Sequence, residues 1–284
     1  MMKFKTVISI LLLSFSAYLS MPLLAQKCDP AACAAKTSMT EVQTTTSAVI
    51  PAADRAAAPT SSALKTVDFT FSAGKVVEVA LFSITPGKES IVAEDYFPKI
   101  FPVAMEYGLQ GAQTFQVVDT KFGTAPAQVV GFFIWDSYEQ KEAFNQDIRY
   151  LELRNIRNSA MDFLYLGYFQ VGEDVNITLD NESYYDFAAL WIDQANAPKL
   201  EEYFGHVAPV AMQPEFGYQP IATLNPLNTC THGKYTPSMV GFAKWGGKDS
   251  FDRLMQNKTY KRYVHLRDEA TPYKDVFLLQ AIIE

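Results

Sequence analysis

The chain carries one pattern twice. Gly131-Phe132-x-x-Trp135 returns as Gly241-Phe242-x-x-Trp245, 110 residues later. At that constant offset Tyr150 matches Tyr260, Arg157 matches Arg267, Ala160 matches Ala270 and Gln170 matches Gln280. Upstream, Tyr96-Phe97 and Pro102-Val103-Ala104-Met105 return as Tyr203-Phe204 and Pro209-Val210-Ala211-Met212 at an offset of 107. The change of offset is what small loop insertions produce. Two copies of about 100 residues each are too few and too long for a solenoid, so a duplicated globular unit is expected.

The pattern within one copy gives its order of elements. Val76–Ile84 alternates and is β-rich, and Pro86-Gly87 ends it. Residues 89–107 hold apolar residues at helical spacing, with Pro98 and Pro102 predicting a bend and Gly108 a stop. Strands are expected over 113–119 and 128–135. A helix is expected over 137–160, with Ser137 and Gln140 as a capping box, then a strand over 163–171. The second copy repeats this with strands over 183–192, 219–224, 238–245 and 274–283, and helices over 198–212 and 249–270. The order is β-α-β-β-α-β, the ferredoxin-like unit. The expected class is α+β: two fused ferredoxin-like units, residues 74–173 and 180–284, forming a pseudo-twofold α/β barrel.

Residues 1–25 read as a signal peptide. Lys3 and Lys5 precede an apolar run, and Ala25 is a suitable last residue before cleavage. Export to the periplasm or the extracellular space follows as an expectation. Residues 26–73, rich in Ala, Ser, Thr and Pro, read as a disordered spacer. Cys28 and Cys33 lie in it and Cys230 lies in a later loop; their pairing is open, and no metal is expected. The net charge of −7 argues against nucleic-acid partners, and no further transmembrane span is expected in the mature chain. The oligomeric state is not encoded in any pattern found here.

A strand ending in Trp135, followed by a helix with Phe144, Tyr150 and Arg157, resembles the dimeric α/β-barrel superfamily; Trp245, Leu254, Tyr260 and Arg267 repeat it. The resemblance covers about residues 75–283 and implies two ferredoxin-like sheets packed face to face. The superfamily includes cofactor-free and haem-degrading monooxygenases, chlorite dismutase, small isomerases and NIPSNAP-like proteins, and fold does not select among them. Its haem-using members need an axial His. This chain has His206, His232 and His265, and the counterpart of His265 is Asn155, so no cofactor is expected.

Glu78 and Asp186 are equivalent positions on the first strands and are the candidate catalytic acids. If Val77, Val79 and Leu81 meet the helices, Glu78 faces the barrel interior, where burial would raise its pKa. A structural ion pair is the alternative for it. Phe82, Trp135, Trp245, Arg157 and Arg267 are candidate ligand-binding residues, each with core packing or an ion pair as the alternative. The expected partner is a small apolar or aromatic molecule. Binding alone, catalysis without a cofactor, and a non-catalytic envelope module all remain open at this level.

Overall fold

The computed structural model describes residues 63–227 and 235–283. Those residues form ten strands and six α-helices. The strands are β1 (Thr66–Phe71), β2 (Val76–Ile84), β3 (Leu109–Phe122), β4 (Val129–Trp135), β5 (Met161–Gln170), β6 (Val175–Asp180), β7 (Tyr184–Trp191), β8 (Gln219–Pro226), β9 (Met239–Trp245) and β10 (Tyr273–Ala281). The helices are α1 (Phe97–Glu106), α2 (Tyr138–Gln146), α3 (Ile148–Ala160), α4 (Ala197–Ala211), α5 (Ser250–Gln256) and α6 (Lys258–Ala270).

Eight strands close into an antiparallel barrel in the order β10-β3-β4-β2-β5-β8-β9-β7. The run β5-β2-β4-β3 and the run β10-β7-β9-β8 have the same internal order, each copy supplying one. The two seams differ. β10 pairs with β3 from Val276↔Phe122 to Ala281↔Phe115, whereas β5 and β8 share only Phe169↔Pro226 and Gln170↔Asn225. The helices cover the outer face of the sheet. α4 and α6 pack together over the second copy, and α1 and α3 over the first.

The barrel interior is solid. Val77, Val79 and Leu81 of β2 meet Phe115, Phe132, Phe187, Phe242 and Phe277 there, all almost fully buried. Phe132 and Phe242, equivalent residues, touch at a centroid distance of 5.2 Å. Each such side chain contributes roughly 1.5–3 kcal/mol through burial. The face expected to meet the helices therefore lines the interior, and Glu78, Ala80 and Phe82 turn outward beneath the helices. The strand gives no warning of this, because all of Val76–Ser83 is buried and both of its faces contact apolar layers.

The spacer ends earlier than residue 73. β1 pairs with β6 as a two-stranded ribbon in full register from Thr66↔Asp180 to Phe71↔Val175. Phe69 and Phe71 face inward, and Phe71, fully buried, touches Phe132 and Phe242 at 5.3 and 6.1 Å. The ribbon plugs the barrel mouth near Tyr185, whose hydroxyl accepts a hydrogen bond from the Asp180 backbone N–H. A period-two signal, Val67-x-Phe69-x-Phe71, marks this strand in the sequence. The expected signal peptide, Cys28, Cys33, Cys230 and His232 lie outside the described residues.

The long helix expected over 137–160 is two helices. Ser137 caps α2, accepting from the Gln140 N–H. Asp147 then adopts extended backbone and caps α3 by accepting from the Arg149 N–H. Asn257, its equivalent, does the same for α6 with Thr259. An Asx side chain that satisfies a free helical N–H restarts the helix in a new direction. A one-turn π-helix, Ile91–Tyr96, leads into α1, and Gly108 with φ +83° ends the turn after it.

Candidate functional site

Between the sheet and its helix layer each copy encloses a cavity. In the first copy it measures about 70 Å³ and is bordered by Glu78, Phe82, Tyr96, Trp135, Lys141 and Arg157, among others. In the second it measures about 120 Å³ and is bordered by Asp186, Tyr203, Tyr218, Trp245, Phe251 and Arg267, among others. The structure thus brings Glu78, Phe82, Trp135 and Arg157 to one cavity and Asp186, Trp245 and Arg267 to the other. It does not bring Glu78 and Asp186 into a shared space.

In the first copy every polar group has a partner within the chain. Lys141 projects from α2 onto the sheet, and its ammonium lies 3.1 Å from Glu78 Oε1. The same ammonium lies 4.6 Å from the centre of the Trp135 ring and 4.9 Å from that of Phe144. The Trp135 indole N–H donates to Glu78 Oε2 at 2.8 Å. Glu78 and Lys141 are 5% and 3% exposed. Glu78 is thus held in a structural ion pair, with Lys141; Arg157 donates instead to Tyr150 Oη at 3.4 Å and to Asn158.

The second copy keeps the acid and loses the base. Phe251 stands where the first copy has Lys141, at the same 110-residue offset. Asp186 is one methylene shorter than Glu78, and the Trp245 N–H is buried without a hydrogen-bond partner among the described residues. Trp245 still lies near enough to Asp186 to favour its charged form slightly. Burial outweighs this and pushes the Asp186 carboxyl up to about 7. No lysine or arginine among the described residues opposes that burial. Asp186 pairs with Ala243 across β7 and β9, as Glu78 pairs with Phe133 across β2 and β4, so the two acids occupy one register position. Tyr218 adds to the wall: its ring lies 4.7 Å from that of Trp245, and burial and the nearby Asp186 hold its hydroxyl well above the ordinary phenol range.

Arg157 and Arg267 form a repeated structural pin. Arg267 donates to Tyr260 Oη at 2.7 Å and to Asp268 Oδ1, and its guanidinium lies over Phe122, Tyr203 and Tyr260. Each arginine ties the last turn of its helix to the tyrosine two turns earlier in the same helix. In the second copy Arg267 also borders the cavity. The residues that sequence reasoning missed are Lys141, Phe251 and Tyr218. The 110-residue offset contains the signal for the first two, since it pairs a lysine with a phenylalanine directly above a conserved-register acid.

His206 and His265 lie exposed on α4 and α6, and His206 stacks on Tyr263. Among the described residues neither cavity is bordered by a histidine. No helix among the described residues is long and apolar enough to cross a membrane.

No protein-family model matches the sequence, and no curated protein does. Solved structures match in fold. An anthrone oxidase-like protein superposes with a TM-score of 0.55 and 14% identity, over 76% of this chain and 95% of that one. A protein of Fusobacterium nucleatum designated a monooxygenase gives 0.46 and 12%, over 74% and 94%. A chlorite dismutase variant from Candidatus Nitrospira defluvii gives 0.45 and 10%, over 73% and 91%. The chain is an antiparallel α+β protein whose fold is similar to that of the anthrone oxidase-like protein.

Proposed function

We propose that the second-copy cavity binds a small planar molecule through an oxygen atom, with Asp186 and Trp245 as the recognition pair. One observation carries this reading. A buried carboxyl without a counter-ion and a buried indole N–H without an acceptor border the same apolar cavity. Each is costly alone, by roughly 1–3 kcal/mol for the unpaired N–H. A hydroxyl seated between them satisfies both, donating to Asp186 and accepting from Trp245. The cavity, about 120 Å³, suits a single aromatic ring; an apolar cavity of about 150 Å³ holds benzene.

A carboxyl that titrates near 7 also suits proton transfer at neutral pH. This favours a second reading, a cofactor-free monooxygenase or isomerase. Asp186 takes the proton from an acidic O–H or C–H of the substrate, and the Trp245 N–H stabilises the oxygen anion so formed. The name of the anthrone oxidase-like neighbour is compatible with this chemistry. The filled barrel interior fits the third reading, a non-catalytic envelope module, but the cavities outside the barrel are better placed for a ligand.

The wider proposal keeps two elements of the sequence reading. The chain is a tandem fusion whose two units are related by a pseudo-twofold axis, supported by the repeated strand order. It is exported, with cleavage after Ala25, so mature protein from envelope or medium fractions should begin at Gln26. Native mass spectrometry of protein purified from its own source tests the binding reading. A retained small molecule that Asp186→Asn no longer holds supports it. A ligand retained equally by that variant refutes the role of Asp186.

A further inference from the structure

We propose that the first-copy cavity is a self-occupied counterpart of the binding site, and that the residue at position 141 or 251 decides which copy can accept a ligand. The inference rests on the second-copy cavity being a binding site. The repeat offset aligns wall residues of the two cavities: Glu78 with Asp186, Tyr96 with Tyr203, Trp135 with Trp245 and Arg157 with Arg267. The chemistry differs at Lys141 and Phe251. The Lys141 ammonium fills the space against the Trp135 ring and neutralises Glu78. The longer glutamate in turn reaches the indole N–H. The first copy is therefore complete without a ligand.

The second copy has lost both halves of that arrangement together. Phe251 cannot neutralise an acid, and its ring packs edge-on against Trp245 at 5.5 Å. With aspartate in place of glutamate, the Trp245 N–H lies near enough to favour the charged carboxyl slightly but makes no hydrogen bond among the described residues. A further difference agrees with this. Tyr168, whose hydroxyl lies near Glu78, corresponds to Leu278 in the second copy. Both cavities are mainly apolar; in the first the acid is paired with Lys141 and the indole N–H, whereas in the second Asp186 has no cation beside it and the Trp245 N–H has no hydrogen-bond partner among the described residues. The second cavity is also the larger, about 120 against about 70 Å³, with Leu190, Ala208 and Leu254 standing where the first copy has Phe82, Phe101 and Phe144.

The test counts bound probe molecules. Phenol is titrated into the full-length protein, and stoichiometry is read by calorimetry and by ligand-observed NMR. Wild type should bind one phenol. The double variant Glu78→Asp/Lys141→Phe gives the first copy the second's residues at these two positions and should bind two. The reverse exchange, Asp186→Glu/Phe251→Lys, should bind none while keeping its circular dichroism and melting transition. Two phenols bound by wild type, or one bound by a folded Glu78→Asp/Lys141→Phe protein, overturns the proposal. Should that variant not fold, the reverse exchange decides: continued binding of one phenol refutes the role of the position. If wild type binds none and the forward exchange binds one, the second-copy reading fails while the blocking role of Lys141 stands. No binding by either removes both.

Discussion

Asp186→Asn should make the protein more stable at alkaline pH and leave it no more stable at acid pH. The carboxyl titrates near 3.8 in an exposed setting and near 7 in the fold. Between those values the folded chain holds a proton that the unfolded chain has released, so stability falls as pH rises toward 7 and is level beyond it. From pH 5 to pH 8 the folded group loses its proton over about two pH units. At 1.36 kcal/mol per unit this is about 3 kcal/mol as an upper limit. Water admitted to the cavity lowers it, and about 1.5 kcal/mol is the expected measurable part. The buried amide of the variant has its own cost, but that cost does not change with pH. The quantity to measure is therefore the difference in Tm between variant and wild type at pH 5 and at pH 8. At roughly 2–4 °C per kcal/mol the difference should grow by roughly 3–6 °C in favour of the variant. Comparing the two proteins cancels the contributions of carboxylates such as Asp119 and Asp180, whose ion pairs are lost on acidification. A difference that is flat with pH, or that shrinks toward pH 8, would refute the buried, uncompensated acid.

Glu78→Gln should behave oppositely to Asp186→Asn, destabilising at neutral pH by roughly 3–5 kcal/mol, because it leaves the Lys141 ammonium buried without its carboxylate; urea unfolding at pH 7.5 checks it. Both Trp135→Phe and Trp245→Phe lose buried packing, but Trp135→Phe should cost roughly 1–3 kcal/mol more in the same assay, since only the first indole N–H has a hydrogen bond to lose. Phe71→Ala should cost roughly 3–5 kcal/mol, and a surface-like cost below about 1 kcal/mol would show that the β1 ribbon does not plug the barrel.

The repeat made the order of strands and helices legible, because a period of two or of 3.6 residues that recurs at a fixed offset is read twice. What the pattern could not give was the direction of each face. On β2 both Val77-Val79-Leu81 and Glu78-Ala80-Phe82 are buried, and alternation distinguishes faces only when one of them meets water. Glu78 and Asp186 share one register position, as their equivalence implied, but lie beneath the helices and not inside the barrel. Lys141 escaped notice because a lysine near the start of an amphipathic helix reads as a solvated residue. Its burial depends on Glu78, 63 residues earlier in the chain, and on three aromatic rings that only the fold brings together. The division of residues 137–160 was signalled by Asp147 and Asn257 at one offset, a cap inside an otherwise continuous helical pattern.

The central claim is that the second copy, and not the barrel interior or the first copy, holds the ligand between Asp186 and Trp245. A crystal structure of the protein grown with phenol tests it most directly. The account predicts one phenol ring in the cavity beneath α4 and α6, its oxygen within hydrogen-bond distance of both an Asp186 carboxyl oxygen and Trp245 Nε1. A ring found against Lys141, a ring inserted among Phe115, Phe132 and Phe242, or a second-copy cavity left empty at saturating phenol would contradict it.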